Sequence, residues 1–243
     1  MRCRLPAVFL LAFGLPLAAR AAALPAPPAA LDLFESCAED TIDHAARANW
    51  SQVHRDVRDV TLVWAHLRGQ LAAQQVPDPL LKQIDQRVVA LADVEQSPTR
   101  TPLQVEQKAN AVTAFIPDLQ KYYKTPVPPQ IARLDYLGRQ ILLDRKAGDP
   151  QQAAADSRKL VLAWQEIRPS AHKVARRPAQ AIDRDVALIS AVPVTAQAVR
   201  ATRDLLDRVD QLESGFAVAS SRSAAQGGGA GPRHHRGHHR VRV

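Results

Sequence analysis

Cysteine is almost absent from this sequence of 243 residues, which contains only Cys3 and Cys37. Cys3 lies in an amino-terminal segment that we expect to be removed, so Cys37 would be alone in the mature chain and could form no internal disulfide. We predict that Cys37 is a small buried apolar residue. Glycine is nearly as scarce, with three in residues 24–214, and no segment has the pattern of two strands joined by a tight turn. These absences favour an all-α fold.

The only long apolar run lies at the amino terminus. Arg2 and Arg4 precede the apolar residues 5–19, and small residues follow at 21–23. A positive start, a short apolar segment and a small-residue end are typical of a secretory signal peptide. The run is shorter than the roughly 20 residues that span a bilayer. We therefore expect residues 1–23 to be a cleaved signal, the protein to be periplasmic or secreted, and the mature chain to have no transmembrane segment.

The net charge of +8 is located at the two ends of the chain. Of the 32 basic residues, three lie in the predicted signal and five follow residue 221, and neither segment contains an acidic residue. The body between them therefore has 24 basic and 24 acidic residues and is neutral. Nucleic-acid binding needs an excess of positive charge on the folded surface. We expect the body to bind no nucleic acid.

Two segments that lie 100 residues apart share one pattern. Residues 49–68 and 149–168 each begin with an N-cap residue that is followed by Gln three positions later, as in a capping box. Each segment has a tryptophan at the same place, Trp64 and Trp164, and apolar residues at steps of three and four, as in an amphipathic helix. A proline-rich segment precedes each half of the chain. We predict an internal duplication in which the second helix of each half carries the tryptophan.

The apolar periodicity and the capping residues predict eight helices, near residues 31–47, 50–75, 79–96, 102–124, 130–146, 150–168, 179–191 and 194–217. We expect two tandem four-helix bundles, with repeat 1 in residues 24–124 and repeat 2 in residues 125–217. The alternative is a continuous, solenoid-like stack of helix pairs. In the aligned halves, Glu35 matches Asp135, and both are predicted to be exposed charged residues.

The sequence contains no catalytic or cofactor motif. None of its glutamates has a histidine three residues later, as a di-iron bundle would need, and there is no haem-attachment, His-Glu-x-x-His or phosphate-loop pattern. Four histidines lie in the body: His44, His54, His66 and His172. They fall on separate predicted helices and a loop, and the two that share a helix, His54 and His66, lie more than three turns apart, so each is predicted to be a polar residue rather than a metal ligand.

The carboxyl-terminal segment, residues 218–243, is the only chemically distinctive one. It passes from a Ser- and Gly-rich stretch to RHHRGHHRVRV, a composition that cannot bury enough apolar surface to fold, so a disordered tail is predicted. Imidazole pairs on a flexible chain can bind Ni²⁺, Cu²⁺ or Zn²⁺, although the intervening arginines repel a cation. The candidate metal ligands are His234, His235, His238 and His239. The alternative to metal binding is that the tail is a solubilising basic segment that contacts anionic surfaces weakly.

Three classes of function remain open. We favour a non-enzymatic envelope protein whose helical body binds another protein or a small ligand between its helices, because the body is neutral and has no cluster of reactive residues. The alternative is a protein that binds or buffers a transition metal through its tail. The third class is an enzyme whose residues converge only in the folded chain, with the candidates His44, His54, His66, His172, Glu35, Asp135 and Glu166.

Overall fold

The computed structural model describes residues 24–191 and 196–227, which are mostly helical and contain no β-strand. The helices of this described part are α1 (Ala29–Ala46), α2 (Trp50–Ala73), α3 (Asp78–Gln96), α4 (Pro102–Thr113), α5 (Ile116–Gln120), α6 (Gln130–Lys146), α7 (Pro150–Val174), α8 (Arg176–Ser190) and α9 (Ala196–Gly227). The predicted all-α class is confirmed. Among these helices, none is long and apolar enough to cross a membrane.

Helices α1 to α4 form one four-helix bundle, and helices α6 to α9 form a second. In each bundle the first helix packs against the second and the fourth, and the third helix packs against the same two neighbours. The buried apolar residues accordingly form two clusters, one for each bundle. Helix α6 also contacts α4 and the short helix α5, and these contacts join the two bundles. Because each set of four closes on itself, the arrangement is a pair of bundles and not a continuous stack.

The predicted helix over residues 102–124 is divided in two. Helix α4 ends at Thr113, and α5 begins at Ile116 with Pro117 in its first turn. Proline has no N–H, so Pro117 cannot donate the helical hydrogen bond to the carbonyl of Thr113. The Thr113 hydroxyl donates to the Asn110 carbonyl at 2.9 Å. The break at residues 114 and 115 opens a space beside α6.

Two other helices extend beyond their predicted ends. Helix α7 continues through Pro169 to Val174, because Ala171 is completely buried in the second core and holds the last turns in place. Helix α9 continues past Ala217 to Gly227, so the first ten residues of the predicted disordered tail are helical. The Ser221 hydroxyl donates to the carbonyl of Ala217, four residues earlier. No glycine or proline interrupts this alanine- and serine-rich stretch before Gly227.

The predicted capping boxes are formed at one site and incomplete at two others. Thr101 and Gln104 make both hydrogen bonds of the box at the start of α4. The Asp149 side chain accepts from the Gln152 backbone N–H at 2.9 Å, but the Gln152 side chain binds elsewhere. Asn49 makes no capping hydrogen bond to α2, because its side-chain oxygen accepts instead from the Ser51 hydroxyl. The predicted starts of these helices are nevertheless correct.

Trp64 and Trp164 have closely similar environments in the two bundles. The Trp64 indole N–H donates to Asp85 of α3 at 2.8 Å, and the Trp164 indole N–H donates to Asp183 of α8 at 2.9 Å. One turn after each tryptophan an arginine binds the same carboxylate: the pairs are Arg68 with Asp85 and Arg168 with Asp183. Both indoles are buried, as predicted. The internal duplication from which this match was expected stays a prediction.

Candidate functional site

The four body histidines lie apart from one another and bind different side chains. Their contacts are His44 with Asp56 at 2.7 Å, His54 with Glu95 at 3.2 Å, His66 with Gln70 at 2.9 Å and His172 with Asp183 at 2.9 Å. No group of three residues suited to holding a metal ion occurs in residues 24–191 and 196–227. The tail histidines, His234, His235, His238 and His239, lie outside the described residues. Cys37 is free and half-buried against the first core, where full burial was predicted.

Two of the candidate reactive residues meet in one cavity. Glu35 of α1 and Asp135 of α6 both line a space of about 210 Å³ between α1, α6 and α9, which we name the acidic cavity. Its other lining residues are Asp32, Ser36, Glu39, Ile131, Val209, Asp210 and Glu213. The prediction that Asp135 is an exposed charge was wrong, because this residue is only 8% exposed. Glu35 and Asp135 face the same space because the first helices of the two bundles are neighbours.

In the described part of the chain, Arg139 is the one cation bound to carboxyl groups of the acidic cavity. It donates from Nε to Asp135 Oδ2 at 2.8 Å, and its Nη2 lies 3.1 Å from Glu39 Oε1. Burial, together with the neighbouring carboxylates led by Glu213, raises the pKa of Glu35 to about 8. Burial also raises the pKa of Glu39 to about 9, against the opposing effect of Arg139. Both side chains therefore hold a proton at neutral pH.

A larger space lies on the other side of α6, where the break before Pro117 leaves room. It has a volume of about 540 Å³ and lies between α5, the start of α6 and the middle of α7; we name it the junction pocket. Its apolar lining residues are Ala114, Phe115, Pro117, Pro129, Leu137, Leu162 and Ala163, and its polar ones are Asp118, Lys121, Gln130, Arg133, Tyr136, Lys159 and Glu166. The volume falls within the roughly 300–1,000 Å³ that is usual for small-molecule sites.

Hydrogen bonds hold several polar groups of the junction pocket in place. Asp118 Oδ1 accepts from Lys121 Nζ at 2.8 Å and from Arg133 Nη2 at 2.9 Å. Lys159 is bound by the buried Asp156 at 2.7 Å. Burial raises the pKa of Tyr136, with a further contribution from the negative charge of Asp156. The Tyr136 phenol therefore remains a neutral hydrogen-bond donor. The pocket is therefore lined by apolar and polar residues in equal number, and several of the polar groups are held in position.

Buried polar contacts between α4 and α6 join the bundles beside this pocket. The side-chain amide of Asn110, which has no exposed surface, donates to Gln140 Oε1 at 2.9 Å. Lys146 Nζ lies 2.6 Å from Oε1 of the buried Glu106. Gln140 in turn donates to Asp144 at 2.6 Å, and burial raises the pKa of Asp144 to about 6. This side of the joint is therefore closely hydrogen-bonded.

The sequence did not reveal the junction pocket. Its lining residues come from three helices and span residues 114–166, so no local motif joins them. Pro117, inside a predicted helix, was the one local signal of the break that opens the pocket. Glu166 was a candidate reactive residue, and in the structure it accepts a hydrogen bond from Gln130 at 3.3 Å, away from Glu35 and Asp135.

The fold and its cavities define an all-α protein made of two four-helix bundles with an open pocket at their junction. No known protein family matches the chain, and no curated protein or solved structure resembles it significantly. Its function is therefore inferred from its own geometry.

Proposed function

We propose that this chain is a non-catalytic binding protein of the cell envelope, and that it binds a small ligand in the junction pocket. The observation that carries the proposal is the pocket itself, a space of about 540 Å³ lined in equal number by apolar residues and by polar residues, several of which are held at defined positions. Ligand sites occur preferentially where two structural units meet, and they are largely formed before the ligand binds. The hydrogen bonds to Asp118 and between Gln130 and Glu166 supply such preorganisation.

Two features support a binding role over a catalytic one. The apolar residues of the junction pocket can bury part of an organic ligand, whereas its charged groups already have partners: Asp118 binds Lys121 and Arg133, and Lys159 binds Asp156. The carboxyl groups with strongly raised pKa values, Glu35 and Glu39, line the acidic cavity and not this pocket. The pocket therefore supplies shape and hydrogen bonding, while the proton-holding groups lie on the opposite side of α6.

The envelope location is proposed from the pattern of residues 1–23. If those residues are a signal, the protein recovered from a periplasmic or culture-medium fraction begins at Ala22 or Leu24, after one of the two small-residue sites. Amino-terminal sequencing of the natively expressed protein checks this. A cytoplasmic protein that still carries residues 1–23 would contradict it.

Substitution of Leu162 by arginine is expected to abolish ligand binding without unfolding the protein. Leu162 lines the pocket and is 60% exposed, so the fold tolerates the larger side chain, while the charge spoils the apolar lining. The protein is incubated with a small-molecule extract of the envelope fraction, and native mass spectrometry measures the bound fraction. We expect the wild type to gain a defined mass and the variant to bind the same molecule at least about tenfold more weakly, which equals a change in binding free energy of about 1.4 kcal/mol.

Leu62→Arg is the matched control, because Leu62 is the corresponding residue of α2 and is 61% exposed, but does not line the pocket. Leu162 also borders a groove between α7 and α8, so Ala154→Arg, which alters only that groove, is the second control. Both controls are expected to keep the bound mass. Equal loss in Leu62→Arg and Leu162→Arg, or no bound mass in the wild type, would contradict the proposal.

Removal of residues 228–243 separates this proposal from metal binding through the tail. Under the proposal, the shortened protein keeps the bound mass in the same experiment. Loss of the bound mass, together with loss of a Ni²⁺ or Cu²⁺ titration signal, would instead place the function in the tail, which contains the only two pairs of adjacent histidines in the sequence.

A further inference from the structure

We infer that the acidic cavity makes the joint between the two bundles a proton-controlled hinge, which is closed while its carboxyl groups hold protons and opens between α1 and α9 when they ionise. The acidic cavity lies on the opposite side of α6 from the junction pocket, so the hinge does not depend on the ligand proposed there. Two observations support the hinge: the groups that face the cavity, and the different contacts that hold the two sides of the joint.

Acidic groups from three helices face one another across the cavity, with a single cation among them. Helix α1 belongs to the first bundle, and helices α6 and α9 belong to the second. The facing groups are Asp32, Glu35 and Glu39 of α1, Asp135 and Arg139 of α6, and Asp210 and Glu213 of α9. Asp43 and Asp207 lie near enough to act on Arg139 and Asp210 respectively. One guanidinium can offset only part of the charge of six ionised carboxyl groups, so full ionisation would still leave like charges on both bundles across a partly desolvated gap.

The two sides of the joint are held together differently. On the α4 side, α6 is fixed by the buried contacts of Asn110 with Gln140 and of Lys146 with Glu106. On the α1 side, the contact between Arg139 and Glu39 is the one pairing of a cation with an acidic side chain that joins α1 to α6 or α9 in the described residues. The α4 side is therefore suited to act as the pivot, and the α1 side is the edge that can open.

The pKa shifts give the direction of the effect. Burial is the first cause of the raised pKa of Glu35, to about 8, and of Glu39, to about 9, and it also raises the pKa values of Asp32, Asp210 and Glu213. A carboxyl group whose pKa is raised by folding contributes stability at low pH, and that contribution is lost as the pH rises through the folded-state pKa. The closed joint is thus favoured most at low pH. It is weakened progressively as the pH rises above 4.5, the ordinary pKa of a glutamate, and the contribution is fully lost once the pH passes about 9.

Spin-label distance measurements between α1 and α9 test the hinge. Labels are attached at Leu33→Cys and Gln211→Cys, both at exposed positions, in a full-length protein in which Cys3 and Cys37 are replaced by alanine. We expect one narrow distance distribution at about pH 6 and a longer, broader one at about pH 10, since both glutamates ionise between these values. A distribution that is the same at both pH values overturns the inference.

The double variant Glu35→Gln/Glu39→Gln is expected to keep the short distance at both pH values, because glutamine has the shape of the protonated side chain and cannot ionise. Asp40→Asn/Asp59→Asn is the matched control, since it removes two carboxyl groups of the first bundle that do not line the cavity. In the control, the distance between the two labels should lengthen with pH as it does in the wild type. A distance that lengthens in the glutamine variant, or one that stays fixed in the control, overturns the inference. Circular dichroism at each pH verifies that every variant is helical.

Discussion

Substitution of Trp164 by alanine is expected to lower the free energy of unfolding by about 3–5 kcal/mol, as is usual when a large buried aromatic side chain is removed. Trp164 is 2% exposed and belongs to the core of the second bundle. The loss combines the apolar surface no longer buried, the cavity left among the neighbouring helices and the indole hydrogen bond to Asp183. Chemical denaturation followed by circular dichroism measures the change in the unfolding midpoint.

Trp50→Ala is the control for this prediction. Trp50 is only partly buried, at the start of α2, and its ring contacts the Arg100 guanidinium, whose carbon lies 4.7 Å from the ring centroid. An exposed contact of this kind contributes about 0.5–1 kcal/mol. Trp164 would not be a core residue of the second bundle if Trp164→Ala left the unfolding midpoint unchanged. The same would follow if Trp50→Ala lowered the stability by as much.

Asp183→Ala is expected to destabilise the protein by about 1–3 kcal/mol, because a buried donor that loses its acceptor bears its full desolvation cost. Asp183 accepts from the Trp164 indole, from Arg168 and from His172. The indole N–H is left without that acceptor in the variant, whereas Arg168 is 54% exposed and can bind water. Asp183→Asn keeps one carbonyl acceptor, so the free energy of unfolding should fall by less than in Asp183→Ala.

The pH dependence of the same variant provides a second readout. The hydrogen bond from Arg168 is the largest cause that lowers the pKa of Asp183 to about 2, and the bonds from Trp164 and His172 lower it as well. A carboxyl group with a lowered pKa stabilises the fold above its usual pKa, and this contribution is lost as the pH falls through the folded-state value. The difference in stability between wild type and Asp183→Ala should therefore shrink between about pH 4 and pH 2. A difference that stays constant over that range would contradict the role given to this carboxylate.

Asp85→Ala makes the corresponding change in the first bundle. Asp85 accepts from Trp64 at 2.8 Å and from Arg68 at 3.0 Å, so a loss of similar size is expected on this side. The first bundle has no counterpart of His172 in this contact, and its tryptophan ring also packs against Phe34 with ring centroids 5.3 Å apart. A large loss for only one of the two aspartates would show that the two contacts are not equivalent.

Periodicity predicted the helices well because each helix has one continuous apolar stripe. The same stripe placed Trp64 and Trp164 in the core, where both are found. The acceptors of their indole groups were not predicted, since Asp85 and Asp183 look like ordinary surface residues until α3 and α8 are packed against the tryptophan helices. Pro169 illustrates the opposite case: a residue that should end a helix is tolerated because Ala171, in the turn after it, is completely buried.

The sites could not be derived from the sequence for a related reason. Glu35 and Asp135 are 100 residues apart, and nothing local indicates that residues of α1 and α6 line the same cavity. The raised pKa of Glu35 and the burial of Asp135 come from that arrangement and not from their neighbours in the chain. The junction pocket likewise depends on how α5, α6 and α7 meet after the break before Pro117.

Hydrogen–deuterium exchange tests the proposed binding site most directly. The full chain is compared with and without the small-molecule extract of the envelope, and exchange is followed along the sequence by mass spectrometry. Ligand binding in the junction pocket predicts slower exchange in residues 114–137 and 159–166, which contain every lining residue of the pocket, with the first three helices unchanged. Protection confined to α1, α2 and α3, or protection in the tail with none around the pocket, would contradict the proposal.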